Sequence, residues 1–80
     1  MAVSFPLADM QVEREQQELC RLVLALRNRF EIDELLARCF DLRSTEGTDG
    51  VEYGGTAIRG WLRVRYRNDR AVAAYFVDSP

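Results

Sequence analysis

The chain has 80 residues, of which 48% are hydrophobic and 30% are charged, and its net charge is −2. This composition is typical of one small globular domain and excludes a disordered tail or a low-complexity segment. The chain contains no histidine and no lysine, so all eleven of its basic residues are arginine. Histidine-assisted nucleophiles, lysine Schiff bases and the usual phosphate-binding loop are therefore excluded. We expect a protein that is not an enzyme and that needs no cofactor.

Membrane and metal binding are not expected either. No apolar run reaches the roughly 20 residues of a membrane span, and the first residues lack the pattern of a signal peptide. The sequence therefore predicts a cytoplasmic protein. Two cysteines without histidine do not supply the ligands of a zinc site. We interpret Cys20 and Cys39 as buried, reduced thiols, and a disulfide between two helices is the alternative.

The N-terminal half of the chain has the pattern of two helices. Residues 2–5 alternate weakly, which predicts a short strand or an extended arm, and the first helix should begin between Pro6 and Asp9. An apolar stripe at helical spacing then follows: Val12, Leu19, Val23, Leu26 and Phe30. The first turns of this helix are polar, and they should be solvated. The alternative is that Glu13, Glu15 and Glu18 form an acidic patch that binds a basic partner, or the basic hairpin of a second copy in a homodimer.

The second helix is predicted from the apolar positions of residues 32–40. Its N-cap should be Asp33 or a nearby acid, and a tight turn should separate it from the first helix, although a single bent helix also fits the pattern. The helical part would then cover residues 7–42, and residues 43–50 would form a polar loop.

The C-terminal half alternates in the manner of strands. Two-residue turns at Gly54–Gly55 and Asn68–Asp69 predict strands over residues 50–53, 56–66 and 71–77. The expected fold is α+β, a single domain over residues 1–80 with two N-terminal helices packed on a three-stranded antiparallel β-meander.

The second turn also predicts how the last two strands pair. A two-residue turn at Asn68–Asp69 places Arg67 opposite Arg70. The predicted partners further along are Leu62 with Tyr75, Val64 with Ala73, Trp61 with Phe76, and Arg59 with Asp78. In this register an aromatic pair and an opposite-charge pair both form.

One face of this meander is the candidate site. If Ile58, Leu62, Val64 and Tyr66 turn toward the helices, the opposite face is basic and aromatic. Tryptophan and arginine are enriched at the residues that contribute most to protein interfaces. The alternative is a solvated sheet whose arginine side chains cover the tryptophan. The predicted partner-binding residues are Arg59, Trp61, Arg63, Arg65, Arg67, Arg70 and Phe76.

We therefore expect a small protein-binding module. In size, charge and lack of catalytic residues it resembles inhibitors or adaptors encoded by phages and mobile elements, such as anti-CRISPR proteins and phage inhibitors of host transcription. That resemblance implies that the protein blocks a surface of a host complex, including one that handles nucleic acid. Two alternatives stay open. The Arg-rich hairpin of residues 59–70 can bind nucleic acid directly, and the chain can be a self-assembling structural subunit.

Overall fold

The computed structural model describes residues 4–78, and the side chains from Val12 onward. The elements in chain order are α1 (Ser4–Leu26), α2 (Arg29–Phe40), β1 (Arg43–Gly47), β2 (Gly50–Gly54), β3 (Trp61–Arg67) and β4 (Arg70–Val77). The strands form an antiparallel sheet in the order β1-β2-β3-β4. The α+β class and the two helices are confirmed, but the sheet has four strands rather than three.

The additional strand is β1, which lies in the predicted polar loop. All five of its residues are exposed, because it is an edge strand that pairs only with β2. An edge strand with no buried side has no reason to alternate in hydrophobicity, so its sequence resembles a loop. Gly50 follows the turn with a φ of 144°, and a Cβ there would lie 2.6 Å from the carbonyl oxygen of Val64.

The predicted turn at Gly54–Gly55 is wrong. Gly54 is the last residue of β2, and residues 55–60 form a longer loop, so β3 begins at Trp61. A glycine pair is a turn signal only when the chain reverses there. Here Gly54 stays in the strand because the ring of Trp61 occupies the space that a side chain would need.

The helix boundaries differ from the predicted ones. Ser4 and Phe5 belong to α1 rather than to a strand or an arm, and residues 2 and 3 lie outside the described part of the chain. The tight turn between the helices is confirmed, because Arg27 has a φ of 62° between α1 and α2. The N-cap of α2 is Asn28, not Asp33, and Phe30 belongs to α2, where it is 69% exposed instead of buried on the first helix.

The helix junction is attached to the turn between β3 and β4. The backbone N–H of Arg29 donates to the carbonyl of Asp69 at 2.9 Å, and the N–H of Ala71 donates to the carbonyl of Arg27 at 2.7 Å. Asn68 and Asp69 both have positive φ, as in the turn that tight hairpins prefer. The predicted two-residue turn is therefore confirmed, and the helices and the hairpin tip hold each other in place.

We predict that Asn28→Ala lowers the free energy of unfolding by about 1 kcal/mol. The side-chain oxygen of Asn28 accepts hydrogen bonds from the backbone N–H groups of Phe30 and Glu31, at 2.9 and 3.2 Å. Urea titration followed by circular dichroism measures the loss. Asn28→Asp is the matched control, because it keeps an acceptor at the cap. Equal losses of unfolding free energy in both variants would show that the hydrogen bonds accepted by the Asn28 side chain do not contribute to stability.

The core lies between the two helices and one face of the sheet. Its largest fully buried side chains come from both helices and from β2 and β3: Tyr53, Ile32, Leu36, Leu62, Val23 and Val64. The predicted inward residues of the first helix, Leu19 and Val23, are both buried. The cysteines are free, but only Cys20 is partly buried, which raises the pKa of its thiol. Cys39 is exposed, so its predicted burial is wrong.

The pairing of β3 with β4 begins as predicted and then shifts by one residue. Arg67 lies opposite Arg70 and Tyr66 opposite Ala71, but Arg65 pairs with Ala73, which leaves Val72 without a partner. This irregularity is a β-bulge, in which one strand carries an additional residue. Beyond it, the partner of Trp61 is Val77 rather than Phe76, and the partner of Leu62 is Phe76 rather than Tyr75. The predicted aromatic pair therefore does not form, and Arg59 lies in the loop before β3 rather than opposite Asp78.

Candidate functional site

One face of the sheet carries no helix in the part of the chain that the structure describes, and we call it the open face. Side chains alternate along each strand, so the positions between the core residues point to this face. Its side chains come from all four strands: Arg43, Thr45, Glu52, Trp61, Arg63, Arg65, Arg67, Arg70, Ala73, Tyr75 and Val77.

The structure brings five of the seven predicted binding residues together. Trp61, Arg63, Arg65 and Arg67 follow one another at every second position of β3, and Arg70 lies opposite Arg67. The other two residues are elsewhere. Arg59 belongs to the loop of residues 55–60. Phe76 packs against the core on the helix side, because the bulge at Val72 exchanges the faces of Tyr75 and Phe76.

A row of side chains crosses the open face at the level of Arg63. Its guanidinium donates from Nε and Nη2 to Oε2 of Glu52, at 3.0 and 2.5 Å, and lies 5.9 Å from the centre of the Tyr75 ring. Glu52 of β2 and Tyr75 of β4 are the residues directly opposite Arg63 in the strand pairing. Glu52 is only 6% exposed although it faces away from the helices. The hydrogen bond with Glu52 raises the pKa of Arg63 and holds its side chain in one position.

Sequence reasoning did not single out Glu52 or Tyr75. The alternation of Val51, Glu52 and Tyr53 already places the carboxylate on the face opposite two apolar residues. The role of Tyr75 depends on the bulge, and no local pattern in the sequence indicates that irregularity. Because of these two residues, Arg63 is a paired and positioned cation rather than a free one.

Trp61 is the only tryptophan of the chain, and its ring lies against the backbone of Gly54 on the neighbouring strand. A Cβ at Gly54 would overlap the indole ring. The backbone of this glycine therefore forms a flat surface on which the ring packs. Such packing stabilises a glycine within a sheet. Trp61 is half-buried as a result, and its outer surface stays accessible on the open face.

The open face is basic. It carries five arginines and one glutamate, a net charge of +4, on a chain whose overall charge is −2. The ion pairs found within the described residues involve Arg29, Arg38 and Arg63. Arg65 and the opposed Arg67 and Arg70 belong to none of them. Like charges placed opposite each other destabilise a strand pair, and an anionic partner would remove that cost.

A second polar cluster lies on the helix side of the sheet. The hydroxyl of Tyr53 donates to Asp33 of α2 and lies 2.7 Å from the hydroxyl of Tyr66. Arg29 covers the Tyr66 ring at 5.2 Å and pairs with Glu46 of β1. These contacts attach α2 to three strands. Burial is the main cause that raises the pKa of Tyr53 and of Tyr66, and hydrogen bonds with Asp33 and Tyr66 add to it at Tyr53.

We predict that stability falls above about pH 10, the ordinary pKa of tyrosine. The raised pKa of Tyr53 means that the folded state favours the neutral hydroxyl. Its contribution to the free energy of unfolding is therefore complete below that pH. At higher pH the unfolded chain releases this proton while the folded chain keeps it, and the loss approaches about 1.4 kcal/mol per pH unit. Urea titrations from about pH 8 to about pH 11.5 measure the slope. Tyr53→Phe should give a shallower slope, and an unchanged slope would contradict the assignment.

The acidic residues of α1 line two different depressions. Glu13, Glu15 and Glu18 are all exposed, as predicted for a solvated face. Glu15 and Glu18 line a groove beside α1, whereas Glu13 lines a different depression over β4. All three belong to α1, and the depression beside Glu13 extends to Tyr75 on the edge strand β4.

Within residues 4–78 the structure shows neither a metal-type cluster of three or more histidine, cysteine, aspartate or glutamate residues nor a helix that is long and apolar enough to cross a membrane. Comparisons with protein-family models, with curated proteins and with solved structures found no match for this chain.

Proposed function

We propose that this protein is a binding module without enzymatic activity that holds another protein on the open face of its sheet. The observation that carries the proposal is the row formed by Glu52, Arg63 and Tyr75 beside Trp61. Its side chains are held in place by partners within the sheet, and no helix of the described chain lies over them. Aromatic residues and arginine that are already positioned lose little conformational entropy on binding, which favours affinity.

The open face has an apolar part and a basic part, and each indicates a property of the partner. On β3 and β4 the end of the face near Gly54 is apolar, with Trp61, Tyr75 and Val77 close together, and Arg43 of β1 lies opposite Gly54. Toward the hairpin tip it becomes basic, with Arg65, Arg67 and Arg70. Protein interfaces usually combine apolar side chains with polar or charged residues around them. We infer a partner surface with an apolar patch flanked by carboxylates.

A specific observation supports nucleic acid as the second candidate. Arg67, Arg65 and Arg63 recur on one face of β3 at intervals of roughly 6.8 Å, and Trp61 is the next residue in the same row. A row of cations that ends in an aromatic ring is suited to a single strand, whose phosphates and bases it would contact. The pairing of Arg63 with Glu52 removes one of these cations, which is why we rank a protein partner first. Inhibition of a host complex stays a prediction, since no contact within the chain bears on it.

Affinity capture with three baits tests the proposal. Three forms of the protein are immobilised separately: the wild type, the double variant with Trp61→Ala and Arg65→Glu, and the control Phe30→Ala. Each capture is carried out with and without nuclease. Phe30 is a matched control because it is an exposed aromatic residue on α2, away from the open face. We expect one protein that binds the wild type and the control, that resists nuclease, and that is lost with the double variant. A protein retained equally by all three baits would overturn the assignment to the open face. A signal that disappears with nuclease would replace the protein partner with nucleic acid.

A further inference from the structure

A groove of about 430 Å³ lies on the helix side of the sheet, between α1, the end of α2 and the loop of residues 55–60. Seven apolar side chains line it: Val12, Leu19, Leu22, Phe40, Ala57, Ile58 and Phe76. Gln16 also lines the groove and connects α1 to the loop, donating from Nε2 to the carbonyl of Arg59 at 3.0 Å. This groove is separated from the open face by the sheet itself.

The groove exists because the helical layer is incomplete. The second helix ends at Phe40, while α1 continues alongside the sheet past Ile58 and Phe76. Leu22 is therefore 40% exposed at the edge of the groove, although it belongs to the same helix as the buried Leu19 and Val23. A further helix placed here would complete the layer that covers the sheet.

We propose that this groove binds an amphipathic helix of a partner protein, with basic residues beside its apolar face. Six of the eleven residues that line the groove belong to α1 and only Phe76 belongs to a strand, and the carbonyl of Arg59 is already used by Gln16. A segment that enters it must satisfy its own backbone hydrogen bonds, as a helix does. From Val12 to Leu22 the wall is about 15 Å long, which matches roughly three turns of a helix.

Charge determines which kind of helix fits. Glu15 and Glu18 stand at the α1 side of the groove, both exposed and in none of the ion pairs found among the described side chains, and Arg59 is the single cation on the other side. Lysine or arginine beside the apolar residues of the guest would therefore face these two carboxylates. A guest with acidic flanks would be repelled.

Three synthetic peptides of about fourteen residues test this site, since that length forms a helix of roughly 20 Å. The first is an amphipathic leucine–lysine helix, the second has the same composition in scrambled order, and the third has glutamate in place of lysine. Amide chemical shifts of the ¹⁵N-labelled protein report the site and the affinity. We expect only the first peptide to bind, with the largest changes at Leu22, Ile58 and Phe76.

Two variants of α1 provide the matched comparison. Leu22→Asp should weaken binding of the leucine–lysine peptide by at least about tenfold. Leu24→Asp should leave binding unchanged, because Leu24 is similarly exposed, at 36%, but does not line the groove. Glu15→Lys combined with Glu18→Lys should transfer the preference to the leucine–glutamate peptide. The amide spectrum of each variant shows whether it is folded.

Several results would overturn the proposal. They are equal binding of the scrambled peptide, shifts confined to the open face, or equal weakening by the two leucine variants. Sedimentation of the free protein at the same concentration tests whether the protein self-associates. A dimer that Leu22→Asp dissociates would assign the groove to a second copy. The site on the open face is tested separately, because neither leucine belongs to it.

Discussion

Replacement of Trp61 by alanine should weaken binding of the captured partner by about 30-fold or more, equivalent to roughly 2 kcal/mol. The indole ring rests on Gly54 and lies beside Tyr75 and Val77, so it is the largest rigid apolar group on the open face. Its removal takes away the buried contact area and leaves a depression over the glycine. Isothermal titration calorimetry with the purified partner measures the change in Kd.

The control for Trp61→Ala is Phe30→Ala, which removes a more exposed aromatic residue from a different surface. Its Kd should match that of the wild type. Arg65→Glu should act in another way, because an exposed charge at the border of an interface mainly changes the association rate and its dependence on salt. The interface is assigned to the wrong face if Phe30→Ala reduces affinity as much as Trp61→Ala does.

Replacement of Leu36 by alanine should lower the free energy of unfolding by about 3 kcal/mol. Leu36 is fully buried between α2 and the sheet, and its carbonyl accepts the backbone N–H of Leu42 at 3.0 Å where the chain leaves the helix. A domain of this length is expected to have a total stability of only about 4 to 12 kcal/mol. The variant should therefore lose between about a quarter and about three quarters of its stability.

The neighbouring Leu35 provides the control within the same helix, because it is only half-buried. Leu35→Ala changes helix propensity in the same way as Leu36→Ala, so the difference between the two variants isolates core packing. Urea unfolding of both, followed by circular dichroism, gives that difference, and we expect Leu35→Ala to lose less than half as much. Equal losses would mean that α2 presents a different face to the sheet.

How much of the site could be predicted differs between neighbouring strands. Along β3 the alternation of Leu62, Val64 and Tyr66 with Trp61 and the arginines predicted correctly which side chains share a face. Along β4 the same reasoning placed Phe76 on the open face and missed Tyr75. The difference is the bulge at Val72, where side chains pass from one face to the other after an unpaired residue. The sequence around Val72 is apolar on both faces, so it contains no signal for this change.

The sequence alone determined the features that depend on local interactions. The helical spacing of Leu19 and Val23 predicts a buried stripe, and the turn residues Asn68 and Asp69 tolerate the positive φ that a tight hairpin requires. Each of these preferences belongs to a few consecutive residues. It therefore acts before any distant part of the chain is in place.

Only the tertiary structure decided the features that depend on distant partners. The strand β1 forms because β2 offers it a paired edge, and Glu52 is buried because Arg63 of the next strand lies across it. The groove beside α1 exists because α2 ends before it covers Phe76. These contacts gain free energy only when segments far apart in the chain meet, so no short stretch of sequence encodes them.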